Sequence, residues 1–382
     1  MRVGFDLTPL CGPPTGVGVY TAQLFLHLHP LLEHHLVAFA HRHALWLPSS
    51  RPYSLLTPRW SLNKTLWMQC VLPWVIARAK VDICHFTNSV APLMCPSPFV
   101  VTVHDASLWL TPEYHYPRRL IAMRPLIPLV VRRAAAVVTV SHSARLDLMR
   151  VLRVPRERIH VIYEAPAPHF RPLIYGEWVE RVRRKYTLPQ RFVLFVGTLE
   201  PRKNLERLIQ AFAQVRQWGL PHKLVVVGQQ GWKEQRIFAL VEQLNLQREV
   251  HFVGYVPDKD LVCLYNLAEV FAFPSLYEGF GLPVVEAMAC GTPVLTANRG
   301  ALAEIAGPAA ELVTPEDVGS IAEGLYRLLT DPELAAQRRE EGLRWVRRFR
   351  WERTAQQTLR LYQSLHASPV EADAPVAGEV HQ

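Results

Sequence analysis

At 382 residues, 49% of them hydrophobic and ten of them tryptophan, the chain is long enough for two cored domains and too apolar for a disordered or fibrous protein. Its formal net charge of +9 is lopsided: residues 1–150 carry 14 Lys and Arg against 6 Asp and Glu, whereas the remainder carries 28 against 27. A basic first half points to an anionic contact, but no helix-turn-helix, zinc or RNA-binding signature accompanies the charge, so nucleic acid is disfavoured.

Six cysteines, none of them in a CxxC pair, fall mostly within apolar runs, the pattern of reduced thiols in a cytoplasmic protein. The opening stretch from Met1 to Leu7 reads as a first strand and not as a signal peptide. The most lipid-like run, Leu66 to Ala77, holds about 12 residues with a proline inside, well short of the ~20 that a spanning helix requires.

Along the chain, short β-rich runs alternate with amphipathic stretches, the rhythm of parallel βα units in an α/β protein. The first strand, Arg2–Leu7, is followed by a glycine-containing loop, Gly12 to Gly18, and a helix expected from Tyr20 to Leu28. Gly16 and Gly18 would let backbone approach a phosphate closely, although the spacing is not GxGxxG and no acid on a second strand is placed to hold a ribose, which disfavours a dinucleotide dehydrogenase. Strands are then expected at Leu36–Ala40, Ile83–Phe86 and Phe99–Val103, the last ending in His104-Asp105, where a histidine can place a hydrogen bond in a cleft or serve as a structural donor. Residues 118–133 interleave five arginines with Leu, Ile and Met. That stretch fits either the interface of an anionic membrane or an ordinary basic surface helix, with Pro125 and Pro128 interrupting it. Ala136–Val140 and Ile159–Ile162 complete the first half, and the proline-rich segment Tyr163 to Pro172 marks a boundary before a basic helical stretch, Trp178–Tyr186.

The second half repeats the rhythm at Phe192–Val196, Leu224–Val227, Val250–Val253, Val270–Phe273, Val294–Thr296 and Glu311–Val313. The first of these runs into Gly197-Thr198-Leu199-Glu200-Pro201-Arg202-Lys203-Asn204, then a helix with Leu205, Leu208, Ile209 and Phe212 on one stripe. Cations at a helix start oppose its dipole, so Arg202 and Lys203 suit a bound anion, although a solvated basic turn has the same composition. After Val270–Phe273 come Glu278, Gly279, Phe280, Gly281 and, in the following helix, Glu286. Backbone N–H groups near a helix start attract phosphate, and a carboxylate on each side accepts hydroxyl hydrogen bonds, so the ligand indicated is a nucleotide sugar. Either glutamate taken alone reads equally as a helix cap or a solvated acid. A last helix, Trp351 to Leu365, is placed to fold back on the first half, and residues 367–382 have the composition of a disordered tail. The sixteen histidines show no metal-ligand spacing, and there is neither a Walker lysine loop nor a nucleophile elbow.

Together these segments resemble the retaining glycosyltransferases of family 4, over nearly the whole chain from Met1 to about Leu365. The most specific piece is Phe273 to Glu286 continuing to Val294, which is similar to that family's two-glutamate motif. The turn from Gly197 to Asn204 resembles its diphosphate-binding turn, and Thr15-Gly16-Val17-Gly18, Val103-His104-Asp105 and Gly254-Tyr255-Val256 resemble further loops. The resemblance implies the GT-B architecture: two Rossmann-like domains with parallel sheets facing across a cleft, residues 1–172 on the acceptor side with helix 351–366 returning to them, and residues 186–350 on the donor side.

It also implies roles. Arg202 and Lys203 grip the diphosphate, Glu278 with the backbone of Gly279, Phe280 and Gly281 meets the donor sugar, Glu286 takes the ribose, and Tyr255 lies by the base. Gly16 and Gly18 let the first domain close on the diphosphate, and His104 sits beside sugar and acceptor. Thr198 stands where many relatives carry an arginine, and Leu302-Ala303-Glu304 replaces a Leu-Pro-Glu. The implied activity is metal-independent, retaining transfer of a hexose, with mannose as the sugar the pattern fits best, to a glycan or lipid-linked acceptor in polysaccharide assembly. No cofactor beyond the nucleotide sugar is expected, and the protein would lie in the cytoplasm, in contact with the inner membrane face if the 118–133 stretch is interfacial. A nucleotide-sugar epimerase of similar plan and a catalytically silent membrane-associated binder of sugar nucleotides are the alternatives.

Overall fold

The computed structural model describes residues 1–12, 15–42, 53–58, 63–229, 231 and 235–367. Within them two parallel sheets form. The first contains β1 (Val3–Asp6), β2 (Leu36–Phe39), β3 (Ser54–Leu56), β4 (Ile83–Phe86), β5 (Phe99–Thr102), β6 (Ala136–Thr139) and β7 (Ile159–Val161), in the order β3-β2-β1-β4-β5-β6-β7. The second contains β8 (Phe192–Val196), β9 (Lys223–Val227), β10 (Val250–Gly254), β11 (Val270–Phe273), β12 (Val294–Ala297) and β13 (Glu311–Val313), in the order β10-β9-β8-β11-β12-β13. Strands β1, β4, β5, β11 and β12 are buried along their whole length, as a sheet covered by helices on both faces requires. These are two Rossmann-like α/β domains, and all twelve of the expected strands match within a residue at each end.

Strand order reverses between β1 and β4 in the first sheet and between β8 and β11 in the second. A crevice opens at the carboxyl ends of a parallel sheet where the connections leave in opposite directions. The loops after β4, β8 and β11 emerge at those two points, and the site is built from them and from the loop after β5.

Several elements differ from the sequence reading. The first helix spans Gly16–Leu32 and not Tyr20–Leu28, because Thr15 caps it: its Oγ1 accepts from Gly18 N at 3.1 Å. Pro125 and Pro128 do not break the arginine-rich stretch, which is one helix, Pro117–Arg133. Pro125 is exposed, as is Ile121 four residues before it, so the carbonyl deprived of its N–H partner lies on the solvent side of the helix. The edge strand β3 was missed because it is three residues long and only half-buried. The expected tail beyond Ala367, and Pro13 and Pro14 of the glycine-containing loop, lie outside the described residues.

After β13 and two further helices, the helix Trp351–Ala367 returns to pack on Gly16–Leu32. Tyr362 Oη lies 2.5 Å from His85 Nδ1, and Thr354 Oγ1 donates to Tyr163 O at 2.7 Å. Among the described residues no helix is long and apolar enough to cross a membrane.

Candidate active site

The turn after β8 is pinned from two sides. Gly197 N donates to Val227 O and Leu199 N to Gln229 O, at 2.9 and 3.1 Å. Gly228 allows this approach, since a Cβ there would stand 1.9 Å from Gly197 O. A single 3-10 turn, Pro201–Lys203, follows and ends at Asn204, which adopts the left-handed φ of 61° that asparagine tolerates. The buried Asn204 amide donates to Pro274 O at 2.9 Å and Pro315 O at 2.6 Å, and Leu276 N donates to Arg202 O at 2.9 Å. These bonds tie the cationic turn to the loop after β11.

The tie brings Arg202, Lys203 and Glu278 together. Arg202 Nη1 donates to Glu278 Oε2 at 2.9 Å, and Lys203 Nζ to Glu278 Oε1 at 2.6 Å. Ser275 Oγ donates to the same Oε1 at 2.6 Å, while Arg202 also reaches Tyr277 O at 2.7 Å and Glu200 Oε1 at 2.7 Å. Burial alone would raise the Glu278 carboxyl, but Arg202 and Lys203, with the Ser275 hydroxyl, hold it down to about 2. Glu278 is therefore ionised, with a cation on each oxygen and the Ser275 hydroxyl on one of them. The resemblance puts the same residue against a donor sugar, and here each of its oxygens accepts from one of the two cations.

Glu286 sits in the helix Leu282–Cys290, which begins at Gly281 with φ of 105° and carries Pro283 in its first turn. A Cβ on Gly281 would also meet Leu302 Cδ2 at 2.6 Å. Burial pushes the Glu286 carboxyl up to about 8, with Asp258 and Glu164 adding to the rise and the Tyr265 hydroxyl, which donates at 3.0 Å, opposing it. A carboxyl poised near neutrality can both give and take a hydrogen bond, which suits a pair of hydroxyls.

The other expected residues are placed as follows. Gly16 and Gly18 lie in the first helical turn, where the N–H of Gly18 is already taken by Thr15. His104 lies two residues beyond β5 with both ring nitrogens engaged, Nδ1 at 3.1 Å from Glu164 Oε1 and Nε2 at 2.9 Å from Thr87 O. Gly279 is pressed against it: a Cβ would come within 2.1 Å of His104 O, and Gly279 O accepts from Ser141 Oγ at 2.7 Å. The Phe280 side chain is buried in an aromatic cluster, its ring centroid 5.7 Å from Phe349 and 6.3 Å from Tyr163, which leaves its backbone to the loop. Thr198 is exposed in the turn after β8, and Tyr255, 49% exposed, follows the edge strand β10. Thr198 O accepts from Glu200 N at 2.8 Å, and among the described residues no hydrogen bond joins Tyr255 to the Glu278 cluster.

Between the two sheets lies a cleft of about 540 Å³ that reaches from His104, Asp105, Glu200 and Arg202 to an apolar wall including Met68 and Met123. Sequence reasoning missed Glu164, Asp147 and Glu304 as contributors to its frame. Tyr277 Oη donates to Asp147 Oδ2 at 2.8 Å and accepts from Ala106 N at 3.1 Å. Glu304 accepts from His142 N and Ser143 N at 2.8 Å each and from Tyr163 Oη at 2.9 Å. Ser275 and Tyr277, by contrast, lie inside the motif that pointed to Glu278. Among the described residues no group of three or more His, Cys, Asp or Glu side chains is gathered as a metal site would be.

Comparison with known proteins bears on the whole chain. Residues 179–345 match the family Glycosyl transferases group 1, and residues 14–165 match Glycosyltransferase Family 4. The chain is 30% identical over 397 residues to the O-antigen chain mannosyltransferase B of Escherichia coli, an alignment covering 96% of this chain and 100% of that protein. It is 34% identical over 257 residues to the serotype-specific mannosyltransferase WbdA of Escherichia coli, covering 65% of this chain and 31% of that longer protein. The solved structure of Anabaena HepE in complex with UDP and glucose has the same fold, with a TM-score of 0.76 at 20% identity and coverage of 95% of this chain and 100% of that one. The chain belongs to the family 4, group 1 glycosyltransferases and has the GT-B fold.

Proposed function

We propose that this glycosyltransferase moves mannose from a nucleotide sugar, GDP-mannose being the first donor to test, to a glycan or lipid-linked acceptor in polysaccharide or lipopolysaccharide assembly. The observation that carries the donor chemistry is the clasp of Arg202 and Lys203 on Glu278, whose Arg202 lines a cleft shared by both domains. The choice of sugar is supported by the mannosyltransferase relatives, one of them aligned over its full length.

In this reading the donor diphosphate lies against the turn after β8, with Arg202 supplying a planar fork and Lys203 a point charge. Glu278 keeps both cations aimed, and Glu286 takes the ribose hydroxyls. The acceptor hydroxyl attacks the anomeric carbon on the face from which the diphosphate departs. The bond from that carbon to the phosphate oxygen breaks, the new glycosidic bond forms, and the acceptor proton passes to the departing phosphate oxygen, so configuration is retained. Fixed cations and helix starts stabilise the charge that grows on the leaving group, which is the work a metal would otherwise do. Glu286→Ala lowers donor affinity in this scheme without abolishing turnover at saturating donor.

The helix Pro117–Arg133 supports peripheral contact with an anionic membrane on the cytoplasmic side: Ile121 and Leu129 are exposed beside Arg118, Arg119, Arg132 and Arg133. Incubation with GDP-mannose and a mannose-ended oligosaccharide, followed by NMR of the product, tests the transfer. An α-linked mannoside supports it, whereas a β-linkage contradicts retention and an epimerised donor contradicts transfer.

A further inference from the structure

Glu164 lies just beyond β7, on the segment leading from the first domain to the second, and is only 4% exposed. A buried carboxylate needs a partner. Its partner is His104, whose Nδ1 stands 3.1 Å from Glu164 Oε1. The other ring nitrogen, Nε2, is 2.9 Å from the carbonyl oxygen of Thr87. A carbonyl only accepts, so Nε2 carries a proton, and the ring's charge is decided by whether the proton shared between Nδ1 and the Glu164 carboxyl sits on the nitrogen.

We infer that Glu164 is a positioning residue that keeps His104 doubly protonated, as a fixed cation on the first domain's wall of the cleft, opposite the Arg202 and Lys203 turn. This rests on the transferase reading of the cleft. Every group packed on the ring is consistent with a charged imidazole. Asp105 adjoins it, and Tyr20 meets it edge-on with centroids 4.8 Å apart. His85, from β4, is fully buried and is itself pushed down to about 3, by burial first and by the charge of His104 second, so it does not compete for the proton. Burial opposes the charge on His104 as well, but the hydrogen bond and charge of Glu164, the Thr87 carbonyl and Asp105 outweigh it and raise its pKa. Gly279 brings only backbone to this face, and its contact with His104 O sets the ring's own strand end against the donor-side loop. A cation fixed there attracts negative charge developing on the departing diphosphate and requires no movement when the bond breaks.

The test is Glu164→Gln, which keeps shape and hydrogen bonding but removes the charge. NMR titration of the His104 ring needs no substrate. The expected result is a His104 pKa about one to two units lower in the variant than in the unaltered protein, equivalent to ~10–100-fold in the protonation constant. With donor and acceptor, kcat of the variant falls by a similar factor at pH 8 and recovers toward pH 5.5, where His104 regains its proton, while KM for the donor changes less than about twofold. In a His104→Gln background the same substitution has no further effect on kcat. A His104 titration unchanged by Glu164→Gln overturns the proposal, as does a loss of kcat that is equal at every pH. If the unaltered protein transfers no sugar yet the His104 titration shifts as expected, the transferase reading fails and the assignment of the charge to Glu164 stands.

Discussion

Glu278 and Glu286 lie eight positions apart on one motif, yet their surroundings drive them to opposite protonation states. Glu278, held to about 2 by Arg202 and Lys203, contributes stability that is complete above its unfolded pKa of 4.5 and is lost as pH falls from there toward 2. Glu286, raised to about 8 chiefly by burial, binds more protons folded than unfolded across the window from 4.5 to 8, so its contribution declines as pH rises through that window. Glu286→Gln removes the dependence. The melting temperature of the variant relative to the unaltered protein is therefore expected to climb between pH 5 and pH 8, and a constant difference across that range contradicts the buried neutral carboxyl. Pairings of this kind are the part of the site the sequence hides. Arg202, Lys203 and the two glutamates announce themselves through glycine-rich turns at strand ends, whereas Glu164 has no motif around it and meets His104 across sixty positions only because β5 and β7 both flank β6.

At the scale of elements, the strand ends were legible because buried parallel strands are short β-branched runs followed by polar residues, and these loops make the cleft. The helices were less so. Thr15 starts its helix four residues before the apolar stripe begins, and the helix Pro117–Arg133 continues through two prolines. The loop after β11 shows what a contact between domains adds: Gly279 is indispensable not for its φ but for the backbone of His104 facing it. Gly279→Ala would force the two apart. Overpacking of this sort costs about 1–3 kcal/mol in a closed core. Here the domains can part to relieve it, so turnover is expected to fall at least about tenfold while the melting temperature moves by only a few degrees. A variant with normal kcat would show that the close approach is dispensable.

For the whole molecule, the two domains are held in register by polar contacts beside the cleft, by the aromatic cluster of Tyr163, Phe280 and Phe349, and by the returning helix Trp351–Ala367. Glu304 of the second domain accepts from the first two N–H groups of the helix His142–Leu152 of the first, a carboxylate placed where a helix dipole favours it. Hydrogen bonds to a charged group contribute about 1.5–3 kcal/mol each and less where solvent reaches them, as it does at the exposed His142 bond but less at the part-buried Ser143 bond. Tyr277 makes a second bridge through Asp147. Glu304→Ala combined with Tyr277→Phe is expected to enlarge the radius of gyration seen by small-angle X-ray scattering, with each domain still folded by circular dichroism. An unchanged radius would place the hold between the domains elsewhere.

Calorimetric titration of a panel of nucleotide sugars, GDP-mannose first, into the unaltered protein and into Lys203→Ala reads the clasp directly. The arrangement of Lys203, Arg202 and Glu278 requires that at least one donor binds the unaltered protein and that its affinity drops about tenfold or more when the Lys203 charge is removed, with the variant still folded. Equal affinity in the two proteins would mean that the diphosphate does not rest on this turn.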